Sequence, residues 1–183
     1  MTDQAKLVAV AGATFPCGVC KGTGHNWLNA DKIPCLNCGT PNEIGPEPGR
    51  VYALPDAVRV KCANFIPPAT GLDYTHLVPV GNGYHLPGDF PCLDCQGRGW
   101  NASEALEVWL ETAALLGWVW ASFGQSGQRD NYHCGLKTEV RQDSGQGYSG
   151  EWGDSYLEAL VSALARALDA QGAVVMCANE RVI

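Results

Sequence analysis

The second half of the chain carries clear periodic patterns. Tyr132, Cys134, Leu136, Thr138 and Val140 alternate with His133, Lys137, Glu139 and Arg141, the period of a half-buried strand. Before it, Leu106, Trp109, Leu110 and Ala113 recur at helical spacing. Asn101-Ala-Ser-Glu104 reads as the start of that helix, with Asn101 as N-cap, and Gly117 as its stop. Trp118 to Phe123 reads as a strand, with shorter strands at 147–152 and 173–177. Ser155-Tyr-Leu-Glu158 is a capping box, and Leu157, Leu160, Val161, Leu164 and Leu168 stripe the helix after it, up to Gly172. The order α-β-β-(β)-α-(β) predicts a small antiparallel sheet covered by two helices over residues 100–183.

The first half lacks such periods. Lys6-Leu-Val-Ala-Val-Ala11 reads as a short strand or N-terminal arm. Val51-Tyr-Ala-Leu54 and Ala57-Val-Arg-Val60 are strand candidates around Pro55. Gly45-Pro-Glu-Pro-Gly49 reads as a turn or linker. Residues 64–91 hold five of the eleven prolines and predict irregular loop.

Cysteines punctuate this half instead. Cys17-Gly-Val-Cys20, Cys35-Leu-Asn-Cys38 and Cys92-Leu-Asp-Cys95 are Cys-x-x-Cys pairs. Each pair suits a zinc knuckle, a tight turn that points two thiolates at one metal. The first and third extend to C-x-x-C-x-G-x-G, whose glycines let backbone N–H groups approach the sulfurs. The expected fold class is therefore α+β, with a zinc-knuckle or ribbon-like region at 1–99 and a sandwich domain at 100–183.

Zinc takes four ligands. Cys17, Cys20, Cys35 and Cys38 have zinc-ribbon spacing, C-x2-C-x14-C-x2-C. Cys92 and Cys95 then need partners. Cys62 is a third ligand candidate, and His76 or His85 the fourth. The other pairing, 17/20 with 92/95, stays open. His25 is placed for a hydrogen bond behind the first knuckle. One or two zinc ions are expected. Closed thiolate sites keep no position for water, so their role is structural and no catalytic residue is expected.

The C-x-x-C-x-G-x-G strings at 17–24 and 92–99 resemble the cysteine-rich repeats of DnaJ-type (Hsp40) co-chaperones. Residues 35–38 match only the cysteines, and no J-domain His-Pro-Asp occurs. The resemblance covers about a quarter of the chain and implies knuckle geometry rather than chaperone activity. The second half resembles, in layout only, small α-β-β-β-α domains of phage-encoded proteins.

Composition narrows the function classes. Formal net charge is −7, which disfavours generic binding to nucleic acid or anionic membranes. Nine cysteines, an odd number with six of them in Cys-x-x-Cys pairs, do not suit a disulfide framework, and the apolar run at 7–13 is too short and too acidic at its start for a signal peptide. No run reaches the length of a membrane span. A reducing cytoplasm is the expected setting.

His133 and Cys134, neighbours on a strand, point to opposite faces and cannot form a dyad. No P-loop is present. The expected role is a non-enzymatic binding or adaptor protein, an accessory protein of a phage or mobile element, acting by occupying a protein partner. Two alternatives accompany it. One is binding of a small molecule, nucleotides included, beside Trp118, Trp120, Tyr148 and Trp152. The other is nucleic-acid binding through Lys21, Lys32, Arg50, Arg59, Lys61 and Arg98.

Overall fold

A computed structural model of the chain describes residues 3–25, 33–38, 46–66, 75–80, 83–85, 95, 98–125, 132–138 and 152–175. The chain falls into two compact units that interleave in sequence. One comprises Met1–Ala13, Ala53–Val58 and Ala102–Ile183, and the other Thr14–Tyr52 and Arg59–Asn101. The architecture is α+β, as the patterning predicts.

The first unit is helical on one side and a sheet on the other. Its elements are α1 (Asp3–Ala11), a 3-10 turn at Asp56–Val58, α2 (Leu106–Leu115), β7 (Trp118–Gln125), β8 (Tyr132–Thr138), β9 (Trp152–Gly153) and α3 (Tyr156–Ala170). The strands form one antiparallel sheet in the order β7-β8-β9. The register runs from Trp118 opposite Thr138 to Gln125 opposite Tyr132, with a bulge between Trp120 and Ser122.

Helix α3 packs on β8, β9, α1 and α2. Leu160, Val161, Leu164, Ala167 and Leu168 are all buried, and each large aliphatic side chain contributes up to about 1.5–3 kcal/mol by leaving water. Ser155 caps the helix by accepting the Glu158 N–H at 3.1 Å. Glu158 reaches back one residue further than a capping box requires, accepting the Asp154 N–H at 2.8 Å. Its other oxygen pairs with Lys6 of α1 at 3.4 Å. At the far end the Ala173 N–H bonds the Leu168 carbonyl and the Gly172 N–H bonds Asp169, a Schellman closure. Trp109 is fully buried and donates its indole N–H to the Ser103 carbonyl at 2.7 Å. Cys134 is buried core, and burial pushes its thiol up to about 11.

Two local expectations change. Lys6 to Ala11 is helix, not strand, and every residue from Leu7 to Ala11 is buried. A run buried on all sides shows neither period. Asn101 is not an N-cap. It lies in a short strand, and α2 begins after Ala105, which has no side-chain cap.

The second unit contains β1 (Thr14–Pro16), β2 (Arg50–Tyr52), β3 (Arg59–Lys61), β4 (Val78–Val80), β5 (Gly83–His85) and β6 (Trp100–Ala102, whose last residue belongs to the other unit). They pair as β1-β2, β3-β6 and β4-β5. Arg50 ties β2 to β1, its Nε donating to Thr14 Oγ1 at 2.6 Å and its Nη2 to the Thr14 carbonyl at 3.1 Å. Three-stranded or larger sheets are absent from its described residues. Two small clusters of its buried groups are built on sulfur, Cys17, Cys20 and Cys35, and Cys62, Phe65 and Cys95, while Thr14, Arg59 and Trp100 are buried outside them.

Candidate metal centre

Cys17 and Cys20 sit in the turn after β1, and Cys35 and Cys38 in a second turn. The first turn is held by Gly22 N–H to the Cys17 carbonyl at 3.2 Å and Thr23 N–H to the Cys20 carbonyl at 3.1 Å. The second is closed by Cys38 N–H to the Cys35 carbonyl at 3.2 Å. A cross-link joins them: the Cys35 N–H donates to the Gly24 carbonyl at 2.8 Å. Thiols on adjacent turns thereby converge.

The four sulfurs lie within 4.8 Å of one another. Cys17 and Cys35 Sγ are 4.0 Å apart, and Cys20 and Cys38 Sγ 3.4 Å. A disulfide needs about 2.05 Å, so these are free thiols. Four thiolates at about 2.3 Å from zinc form a tetrahedron with edges of about 3.8 Å. The cluster matches that edge, and the residues present fit a zinc ion.

Donors surround the sulfurs. The Gly24 N–H points at Cys20 Sγ at 3.2 Å, the Gly49 N–H at Cys38 Sγ at 3.3 Å, and Asn37 Nδ2 at Cys17 Sγ at 3.4 Å. Without metal the thiols titrate unequally. The Asn37 amide, helped by backbone N–H groups, holds Cys17 down at about 6. Burial pushes Cys38 up to about 12, and neighbouring sulfurs add to the rise. Burial also draws Cys20 upward, but bonds from Cys38 and the Gly24 N–H outweigh it and leave its pKa lowered. A divalent cation removes this conflict by taking all four as thiolates.

Asn37 and Gly49 are the site residues that motif reading misses. Gly49 belongs to the segment read as a turn or linker, yet its carbonyl accepts the Cys17 N–H at 2.7 Å and its amide serves Cys38. Nothing local in Gly-Pro-Glu-Pro-Gly signals that contact. His25 bonds the Thr23 carbonyl through Nδ1 at 2.8 Å, not a sulfur.

No known protein family, no curated protein and no solved structure matches the chain. The likeness to DnaJ-type repeats therefore rests on the motifs alone, and the metal centre is argued from its own geometry.

The remaining candidates are distributed as follows. Cys62 and Cys95 are buried in one cluster with Phe65. Cys92 and Tyr148 lie outside the described residues. His76 is exposed. His85 ends β5, opposite Val78 of β4, and Trp120 lies in β7 opposite Leu136, while their side chains lie outside the description. Trp118 is buried. Trp152 is 55% exposed, its ring 5.2 Å from that of His133.

Several of the basic side chains considered for nucleic acid are engaged within the unit, among the described residues. Arg50 holds Thr14. Arg59 is buried with its guanidinium 3.7 Å from the Tyr52 ring centroid, and Arg98 lies over Trp100 at 5.8 Å. Tyr52 and Trp100 meet edge to face at 6.2 Å. These residues form a packed aromatic–cation ladder.

No helix among the described residues is long and apolar enough to cross a membrane.

Proposed function

We propose that the protein is a zinc-stabilised, non-enzymatic binding protein that acts by docking a protein partner on its knuckle turns. One observation carries the reading. Each turn presents one apolar middle residue to solvent, Val19 at 63% and Leu36 at 82% exposed, with Ile33 at 44% nearby in sequence. Four thiolates fix two turns whose inward side is sulfur and whose outward side is aliphatic. Exposed apolar groups on a rigid support mark interaction surfaces. The closed thiolate set has no vacant position for a substrate or water, which favours a structural role for the metal.

The test uses Val19→Asp and Leu36→Asp. Both side chains are exposed, so the variants keep zinc and fold. A partner that co-purifies with the native protein from its own cells should be lost from both. A partner retained by both variants, or no partner at all, contradicts the reading.

A second reading is favoured by exposed Trp152, whose ring is tilted 53° to that of His133: a small aromatic ligand would pack against the open face of that indole. Saturable quenching of tryptophan fluorescence, lost in Trp152→Leu, tests it.

A further inference from the structure

The first unit holds a cavity of about 310 Å³ between helix α1 and the starts of α2 and α3. That volume lies at the lower end for small-molecule sites. No cysteine and no tryptophan is among its lining residues, so it is separate from the metal centre and from the Trp152 surface. One wall is aliphatic. Leu7 of α1 and Val161 of α3 are buried there, and Leu157 of α3 is half-buried. The two helices pack on each other, which holds that wall in place.

The polar lining is unbalanced. Lys6 and Glu158 satisfy each other at 3.4 Å, and the second Glu158 oxygen accepts the Asp154 N–H at 2.8 Å. Glu104, just before α2, also lines the cavity, is exposed, and has no ion-pair partner among the described residues. Gln4 of α1 adds an unmet acceptor. Its Oε1 is buried and has no hydrogen-bond partner among the described residues. An acceptor left in that state costs free energy and points to an absent donor. The terminal amide torsion of glutamine is soft, so the oxygen can turn to a donor in the cavity while α1 stays in place. What the lining lacks is a positively charged donor carried on an apolar body.

We propose that this cavity binds a small aliphatic amine as its ammonium ion, the head group donating to Glu104 and Gln4 and the alkyl chain lying on Leu7, Leu157 and Val161. Three N–H donors on one ammonium can serve both acceptors at once. The aliphatic wall separates this ligand from a bare metal cation, which takes six or more oxygen ligands and gains nothing from leucine and valine. The net charge of −7 also favours a cation over an anion.

The test titrates the full chain with n-butylamine at neutral pH and follows the backbone amides by NMR. Saturable shifts are expected at the amides of Leu7, Leu157 and Glu158. Butyrate and n-butanol, which keep the chain length without the cation, should not produce them. Glu104→Gln should weaken amine binding by about two- to fivefold, the range of an exposed ion pair. Gln4→Met should weaken it by about two- to tenfold through loss of a hydrogen bond. That variant should not melt at lower temperature, because it removes an oxygen that has no partner and keeps the side-chain length. No saturable shift at these amides at millimolar amine overturns the proposal. So do equal shifts with butyrate or n-butanol, or an amine affinity unchanged in both variants.

Discussion

The Gly49 amide donates to Cys38 Sγ at 3.3 Å, and this contact joins the Pro-Glu-Pro-Gly segment to the metal centre. Gly49 has φ +92°, and a Cβ there would collide with the Gly22 carbonyl. Gly49→Ala should therefore cost about 1–3 kcal/mol in backbone strain and weaken zinc binding by about 10- to 100-fold, as loss of outer contacts to a metal site does. Competition against a chromophoric zinc chelator measures it. Gly18, beside which a Cβ meets nothing within 4 Å, supplies the control, and Gly18→Ala should bind normally.

Asn37 should set how zinc binding depends on pH. Its amide is the largest of the bonds that, with backbone N–H groups, hold Cys17 down at about 6, so that thiol is already ionised at neutral pH. Cys38, pushed up to about 12, must release its proton to solvent when the metal binds. Zinc binding at pH 7 therefore releases protons, and affinity falls as pH falls. Asn37→Ala lets the Cys17 pKa rise toward its usual range. Its affinity deficit should be small above that range and grow as pH drops from about 9 to 6. A deficit independent of pH would remove Asn37 from this role.

Chelation should unfold the chain locally. The second unit has sulfur where other domains have an aliphatic core, and metal binding is then folding free energy. After zinc removal, hydrogen exchange at the amides of Cys17, Cys35 and Gly49 should become fast. The α3 amides, backed by Leu160, Leu164 and Leu168, should stay protected.

That helix carries its own test. Leu164→Ala should cost about 2–5 kcal/mol, and Ser155→Ala about 1 kcal/mol through loss of the cap on the Glu158 N–H. Thermal melting reads both, and zinc content should not change in either.

How far the sequence carries depends on whether the determinants are local. Cys17, Cys20, Cys35 and Cys38 are legible because knuckle turns set thiolate direction within a few residues. The α3 stripe and its Ser155 cap are legible for the same reason. Helix α1 is not, because burial on all sides of Leu7 to Ala11 erases the period that distinguishes helix from strand. Asn101 misleads because pairing in β6 outweighs its capping preference. The Gly49 contacts with Cys17 and Cys38 join distant segments, and no local pattern encodes them.

We propose that Cys17, Cys20, Cys35 and Cys38 hold one zinc that folds their unit. The most direct measurement is zinc content and thermal melting of Cys17→Ser beside Cys134→Ser, a buried cysteine outside the cluster. The account predicts that Cys17→Ser loses one zinc per chain and melts at lower temperature, while Cys134→Ser keeps the native zinc content. A Cys17→Ser protein with its full zinc and an unchanged melting curve would contradict it.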